Sequence, residues 1–194
     1  MEDIILVDDN DIQTGTGEKM DVHRSGLLHR AFSVCIYNSK GEQLLQRRAL
    51  AKYHCPGLWS NACCSHPRPA ENLFDAAKRR LKEEMSIDYN WSGREGGVPQ
   101  MEFIYKVKVG NLTEYEYDHV LFAAFDGEPK INKEEADGWR WIDRDELVAD
   151  IRKNPAEYTP WFRLMMRVAW IGNDPKSLVP ELDLYEERTK IAKK

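Results

Sequence analysis

Residues 72 to 85 carry a helical pattern that an ordinary surface helix does not tolerate. Leu73, Ala77 and Leu81 recur every fourth residue, and Arg80 and Glu84 fall on the same stripe. Asn72, with Asp75 three residues on, has the form of an N-terminal cap. A helix that turns an arginine and a glutamate toward its own packing face needs partners for both charges there. The chain must therefore fold with a polar site beneath this helix.

The flanking segments supply the sheet on which such a helix packs. Over residues 27 to 37, Phe32, Val34 and Ile36 alternate with Ala31, Ser33 and Cys35. The turn sequence Asn38-Ser39-Lys40-Gly41 then leads into a second strand from Glu42 to Arg48, giving a hairpin. Tyr53 to Pro69, rich in proline and cysteine, reads as a loop with one short strand at most. Met101 to Val109 and Glu114 to Phe125 read as strands around a Gly110-Asn111 turn, with a short strand at Trp139 to Ile142. Helices are expected at Asp145 to Lys153 and at Pro160 to Trp170. This order predicts one layered α+β domain over residues 1–194, with 1–18 and the charged tail 174–194 at its periphery.

The net charge of −5 argues against a nucleic-acid or anionic-membrane partner, so an anionic substrate must find a local basic pocket. The acidic start has neither the basic residues nor the apolar run of a targeting peptide, and no stretch reaches membrane-spanning length, so a cytoplasmic protein is expected. Cys35, Cys55, Cys63 and Cys64 lack paired spacing and read as free thiols.

Glu114 and Glu116, two apart on a strand, point to one face, where like charges need a cation or a shared proton; exposed glutamates on a solvated edge are the bland alternative. His23, His29 and His66 could complete a nitrogen and oxygen shell with them. Cys64, two residues before His66, is either a proton-exchanging thiol or a small apolar residue, the simpler reading for its neighbour Cys63. Arg47, Arg48, Lys52, Arg79, Arg80 and Lys19 could gather around a diphosphate or form a solvated face. Composition and spacing alone indicate a metal-binding α+β enzyme acting on a phosphorylated compound.

The order Pro56, Gly57, Trp59, Asn61, Cys64, His66, Pro67 resembles the loop signature of the type I isopentenyl-diphosphate isomerases. Glu114-Tyr115-Glu116 matches that family's E-x-E, and Thr159-Pro160-Trp161 its S/T-P-W. The same region is similar to a degenerate Nudix box, with Ser65, Glu71, Arg79, Glu83 and Glu84 at its positions, and with Arg80 and Ser86 where a Nudix hydrolase has glutamate and glycine.

The resemblance implies a Nudix α/β/α sandwich with a mixed sheet and, in isoprenoid precursor biosynthesis, interconversion of isopentenyl and dimethylallyl diphosphate through a tertiary carbocation. It implies Cys64 and Glu116 as the proton-transfer pair, Tyr105 assisting Glu116, and Trp161 facing the cation. It further implies Lys19, Arg48, Lys52 and Arg80 as diphosphate ligands. His23, His29, His66, Glu114 and Glu116 would hold one divalent metal (Mn²⁺, Mg²⁺ or Zn²⁺), and Glu84 a diphosphate-bound Mg²⁺. No flavin is expected, nor any assembly beyond a monomer or weak dimer. A Nudix hydrolase of a nucleoside diphosphate derivative and a non-catalytic diphosphate-binding module are the competing readings.

Overall fold

The computed structural model describes residues 2–91 and 101–167, together with the backbone of 189–191. The N-terminal stretch departs from expectation. Asp3–Val7 (β1) and Gln13–Glu18 (β2) form an antiparallel hairpin, and Ile4, Ile5 and Val7 are buried, so residues 1–18 are not peripheral. In the short apolar run of β1, Ile4, Ile5 and Val7 are buried and Leu6 half-buried, with no polar residue alternating between them, which removes the period-two signal. Strand β2 holds two glycines, which weaken any strand reading. A Cβ on Gly17 would lie 2.7 Å from Val22, so the absent side chain is what lets the next helix, Lys19–Ser25 (α1), pack down.

His29–Tyr37 (β3) is the hub of the sheet. Along one edge it runs parallel to Leu112–Ala124 (β8), which pairs in turn with Met101–Val109 (β7). Along its other edge it meets β1 at its start, Cys63–Ser65 (β6) in its middle, and Gln43–Arg48 (β4) at its end. Trp59–Asn61 (β5) and Ala136–Ile142 (β9) both pair with β4, so the segment from Tyr53 to Pro69 contributes two short strands where at most one was expected. Thr189–Ile191 (β10) pairs with β7, which draws part of the expected tail into the sheet; the rest of that tail lies outside the described residues.

Leu73–Met85 (α2) packs on one face of this mixed sheet, with Ala76, Ala77, Leu81 and Met85 fully buried against Phe32, Val34, Ile36 and Leu121. Arg144–Lys153 (α3) and Pro160–Met166 (α4) cover the other face, where Leu147, Phe162 and Met165 join Cys35, Phe103 and Val120. The layers are those of an α/β/α sandwich. Asn72 caps α2 by accepting from Phe74 N, and the helix ends on Ser86 with φ of +55°, a left-handed conformation normally left to glycine. Burying Leu81 contributes roughly 2 kcal/mol by area transfer.

Candidate active site

Register assembles the site. The parallel pairing sets His29 of β3 beside Glu116 of β8, and the antiparallel pairing sets Tyr105 of β7 on its other side. His66 follows β6, while His23 comes from α1. The ligand atoms of His23, His29, His66 and Glu116 lie within 4.8 Å of one another, and all four residues are buried. Glu114 joins the edge of the group, its Oε2 standing 3.4 Å from His23 Nε2.

This donor set fits a divalent cation. His23 Nδ1 lies 2.7 Å from the carbonyl of Lys19, and His29 Nδ1 lies 2.9 Å from that of Leu27. A carbonyl only accepts, so each Nδ1 carries the proton and each Nε2 presents a lone pair. Both Nε2 atoms are buried and, among the described residues, lack hydrogen-bond partners. Burial drives the His66 imidazole down to about 3, leaving it neutral; burial also opposes charge on Glu116, but the adjacent rings of His29 and His66 outweigh it and hold that carboxylate well below the usual range. A neutral His66 beside an ionised Glu116 is in its binding protonation state, whereas for His23 burial is outweighed by Glu114 and Glu116, which raise it, and a bound cation would displace its extra proton.

A cavity opens beside this cluster. Lys19, Arg48, Lys52 and Arg80 reach into it, as do Glu114, Glu116, Tyr105, Cys64, His66 and Trp161. Cys64 and Glu116 therefore share one cavity. Glu84 stands behind Arg80, outside the imidazole cluster, where it accepts from Arg80 Nη2 at 2.8 Å, from Gln46 at 3.2 Å and from the Cys63 thiol at 3.3 Å. The inward charges of α2 thus partner each other.

The thiol is held in place by its neighbours. Asn61 donates through Nδ2 to the carbonyls of Val34 and Cys63, which orients its amide and leaves Oδ1 to accept from Cys64 Sγ at 2.8 Å. Burial, reinforced by the charge of Asp118, pushes the Cys64 thiol up to about 12, so the neutral S–H persists at neutral pH. Ser60 Oγ accepts from the Trp161 indole N–H at 3.0 Å and donates to Asn61 Oδ1, which ties the ring to the same network. Tyr105 donates its phenolic O–H to Glu116 Oε2 at 2.6 Å.

Sequence reasoning missed two polar residues here. Glu135, in the turn before β9, bridges Lys52 at 2.5 Å and Arg80 at 3.0 Å, holding both cations at the cavity. His54 lines the cavity with Nε2 3.3 Å from Glu114 Oε1. Neither belongs to a periodic pattern; only the position of His54 between Lys52 and Pro56-Gly57 could have drawn notice. Arg79, by contrast, pairs with Glu71 and Glu83 away from the cavity, leaving Arg80 as the cation that α2 contributes.

The family model for the NUDIX domain matches residues 27–162. An isopentenyl-diphosphate Delta-isomerase 2 from Aromatoleum aromaticum is 48% identical over 163 residues, which is 83% of this chain and 83% of that protein. One from Serratia proteamaculans is 45% identical, over 86% of this chain and 90% of that protein. Among solved structures, a Deinococcus radiodurans protein superposes with a TM-score of 0.65 at 18% identity, over 87% of this chain and 99% of that one. A MutT protein from Methanosarcina mazei reaches 0.52 at 19% identity over 70% and 86% of the two chains; both structures bear on the fold alone. With its fold and sequence relatives in agreement, the chain belongs to the NUDIX family and, within it, to the isopentenyl-diphosphate Delta-isomerases.

Proposed function

We propose that this chain interconverts isopentenyl diphosphate and dimethylallyl diphosphate by adding a proton to the alkene and removing another from a neighbouring carbon. One observation carries the reading: the Cys64 thiol and the Glu116 carboxylate face one small cavity that cations line as well. Lys19, Arg48, Lys52 and Arg80 would hold the diphosphate and leave the hydrocarbon toward the proton-transfer pair.

An alkene is a weak base, so its protonation needs a donor placed against it and an environment that tolerates the tertiary cation formed. In one direction of reaction one member of the pair delivers a proton while the other accepts one, and the roles exchange in reverse. The neutral thiol of Cys64 is suited to donate, and the ionised Glu116, steadied by the Tyr105 hydroxyl, is suited to accept. Trp161, buried and fixed through its indole N–H, offers a π face worth on the order of 2 kcal/mol to a desolvated cation. His23, His29, His66, Glu114 and Glu116 would hold one divalent metal (Mn²⁺, Mg²⁺ or Zn²⁺), and Glu84 a Mg²⁺ shared with the diphosphate, supplying positive charge for ligand orientation and phosphate neutralisation. A cytoplasmic enzyme acting as a monomer or weak dimer completes the reading.

Incubation with isopentenyl diphosphate and Mg²⁺ in deuterated water, followed by NMR, is the direct test. Dimethylallyl diphosphate carrying deuterium is expected. Phosphate release without exchange of allylic protons would establish a hydrolase instead. Arg80 weighs against that outcome, since it places a cation paired with Glu84 and Glu135 where a Nudix hydrolase has a glutamate.

A further inference from the structure

None of the roles above uses His54. It sits in the loop that Gly57 N closes onto the carbonyl of Arg48, and its own backbone carbonyl accepts from Arg48 Nη2 at 3.2 Å. Its ring stands 5.4 Å from that of Trp161 and 6.5 Å from that of His23. Its Nδ1 is buried with no hydrogen-bond partner among the described residues. A neutral imidazole carries one N–H, and burying that N–H without an acceptor is costly, so the proton belongs on Nε2. That atom faces Glu114 Oε1, 3.3 Å away, while the other oxygen of Glu114 faces His23.

Imidazoles thereby stand on both sides of Glu114. Its Oε2 looks into the imidazole cluster, and its Oε1, which makes no hydrogen bond among the described residues, has His54 Nε2 3.3 Å away. A carboxylate that ligates a metal through one oxygen is held in orientation when the other accepts from an outer partner. We propose that His54 is a positioning residue of the metal centre, its Nε2–H holding the outer oxygen of Glu114 so that the inner oxygen is aimed at the ion. The inference rests on Glu114 being a ligand of that ion. It also gives the loop bearing Arg48 and Lys52 a tie to the metal centre, so that metal loading steadies the cations expected to grip the diphosphate.

Co²⁺ titration of the purified protein, followed by its visible absorption and by chelator competition, tests the idea without turnover. His54→Ala should weaken Co²⁺ binding about 10-fold or more, and His54→Gln, whose amide can donate to Glu114, should recover most of the loss. Isomerase activity of His54→Ala should return toward wild type as the metal concentration is raised, which loss of a substrate contact would not allow. Equal Co²⁺ affinity in folded wild-type and His54→Ala proteins, checked by circular dichroism, would overturn the role of His54 and leave the proposed isomerase function standing. Wild-type protein that takes up no Co²⁺ would remove the metal centre itself, and the inference with it.

Discussion

Strand β8 turns Glu114, Glu116 and Asp118 to one face, where the first two line the cavity, and Tyr115, Tyr117 and His119 to the other side of the sheet. Both sides combine imidazole with carboxylate, yet in opposite proportions. On the outer side one ring, His119, lies 3.1 Å from Asp11 and 3.1 Å from Glu102; Arg30 also pairs with Asp11 and Tyr117 donates to Glu102. Burial disfavours charge on His119, but hydrogen bonds and charge from the two carboxylates prevail and raise it to about 9. On the cavity side His29 and His66 approach Glu116, while His23 and His54 approach Glu114. There burial wins for His66 and His54, which are driven down to about 3 and about 2. Two carboxylates around one ring make a closed salt bridge. Three of the four rings gather with Glu116 into a group whose donor atoms can converge on a cation.

Substitution should separate the two sides. The largest effects belong to the cavity: Cys64→Ala and Glu116→Gln are each expected to cut kcat/KM by about 10³-fold or more while leaving the fold intact by circular dichroism. Full activity in purified Cys64→Ala would remove the thiol from the reaction. Trp161→Ala should slow turnover by roughly 30-fold, the rate equivalent of about 2 kcal/mol of lost cation–π attraction.

On the outer side, His119→Gln should leave turnover unchanged and cost about 2 kcal/mol of stability in denaturant titrations. The wild-type contribution of His119 is complete below the ordinary imidazole value of 6.5 and is lost as pH rises through about 9, so the two proteins should converge in stability above that pH. Asp11 and Glu102, held below their ordinary values, close the window on the acid side. A variant that lost activity in step with stability would erase the distinction between the faces. The smallest effect, a control on neither face, is Ser86→Gly: relief of the left-handed serine at the end of α2 should add about 1 kcal/mol.

Strands β3, β7 and β8 were legible because one face of each differs from the other, so period two survives in the residue order. Helix α2 was legible from its cap and stripe, and its inward charges signalled a polar site before any coordinates. The hairpin β1–β2 was not, since its apolar run is brief and its second strand is glycine-bearing. Nor was α1, whose seven residues give too few turns for a stripe, although it positions His23. The histidines, glutamates and cations of the site could be proposed from motifs. His54 and Glu135 were hidden because loop residues acquire meaning only from what the fold sets opposite them, Glu114 in one case and the Lys52 and Arg80 pair in the other.

The parallel pairing of β3 with β8 has a kinetic consequence. It joins positions such as Ser33 and Asp118, 85 residues apart along the chain, so this seam must close across a long loop and belongs among the slower steps of folding. Because the imidazoles come from one side of the seam and the glutamates from the other, an ion held between them recognises only chains that have completed it. Such an ion would act chiefly as a brake on unfolding, and chelation should then shorten the lifetime of the native state far more than it slows the return to it.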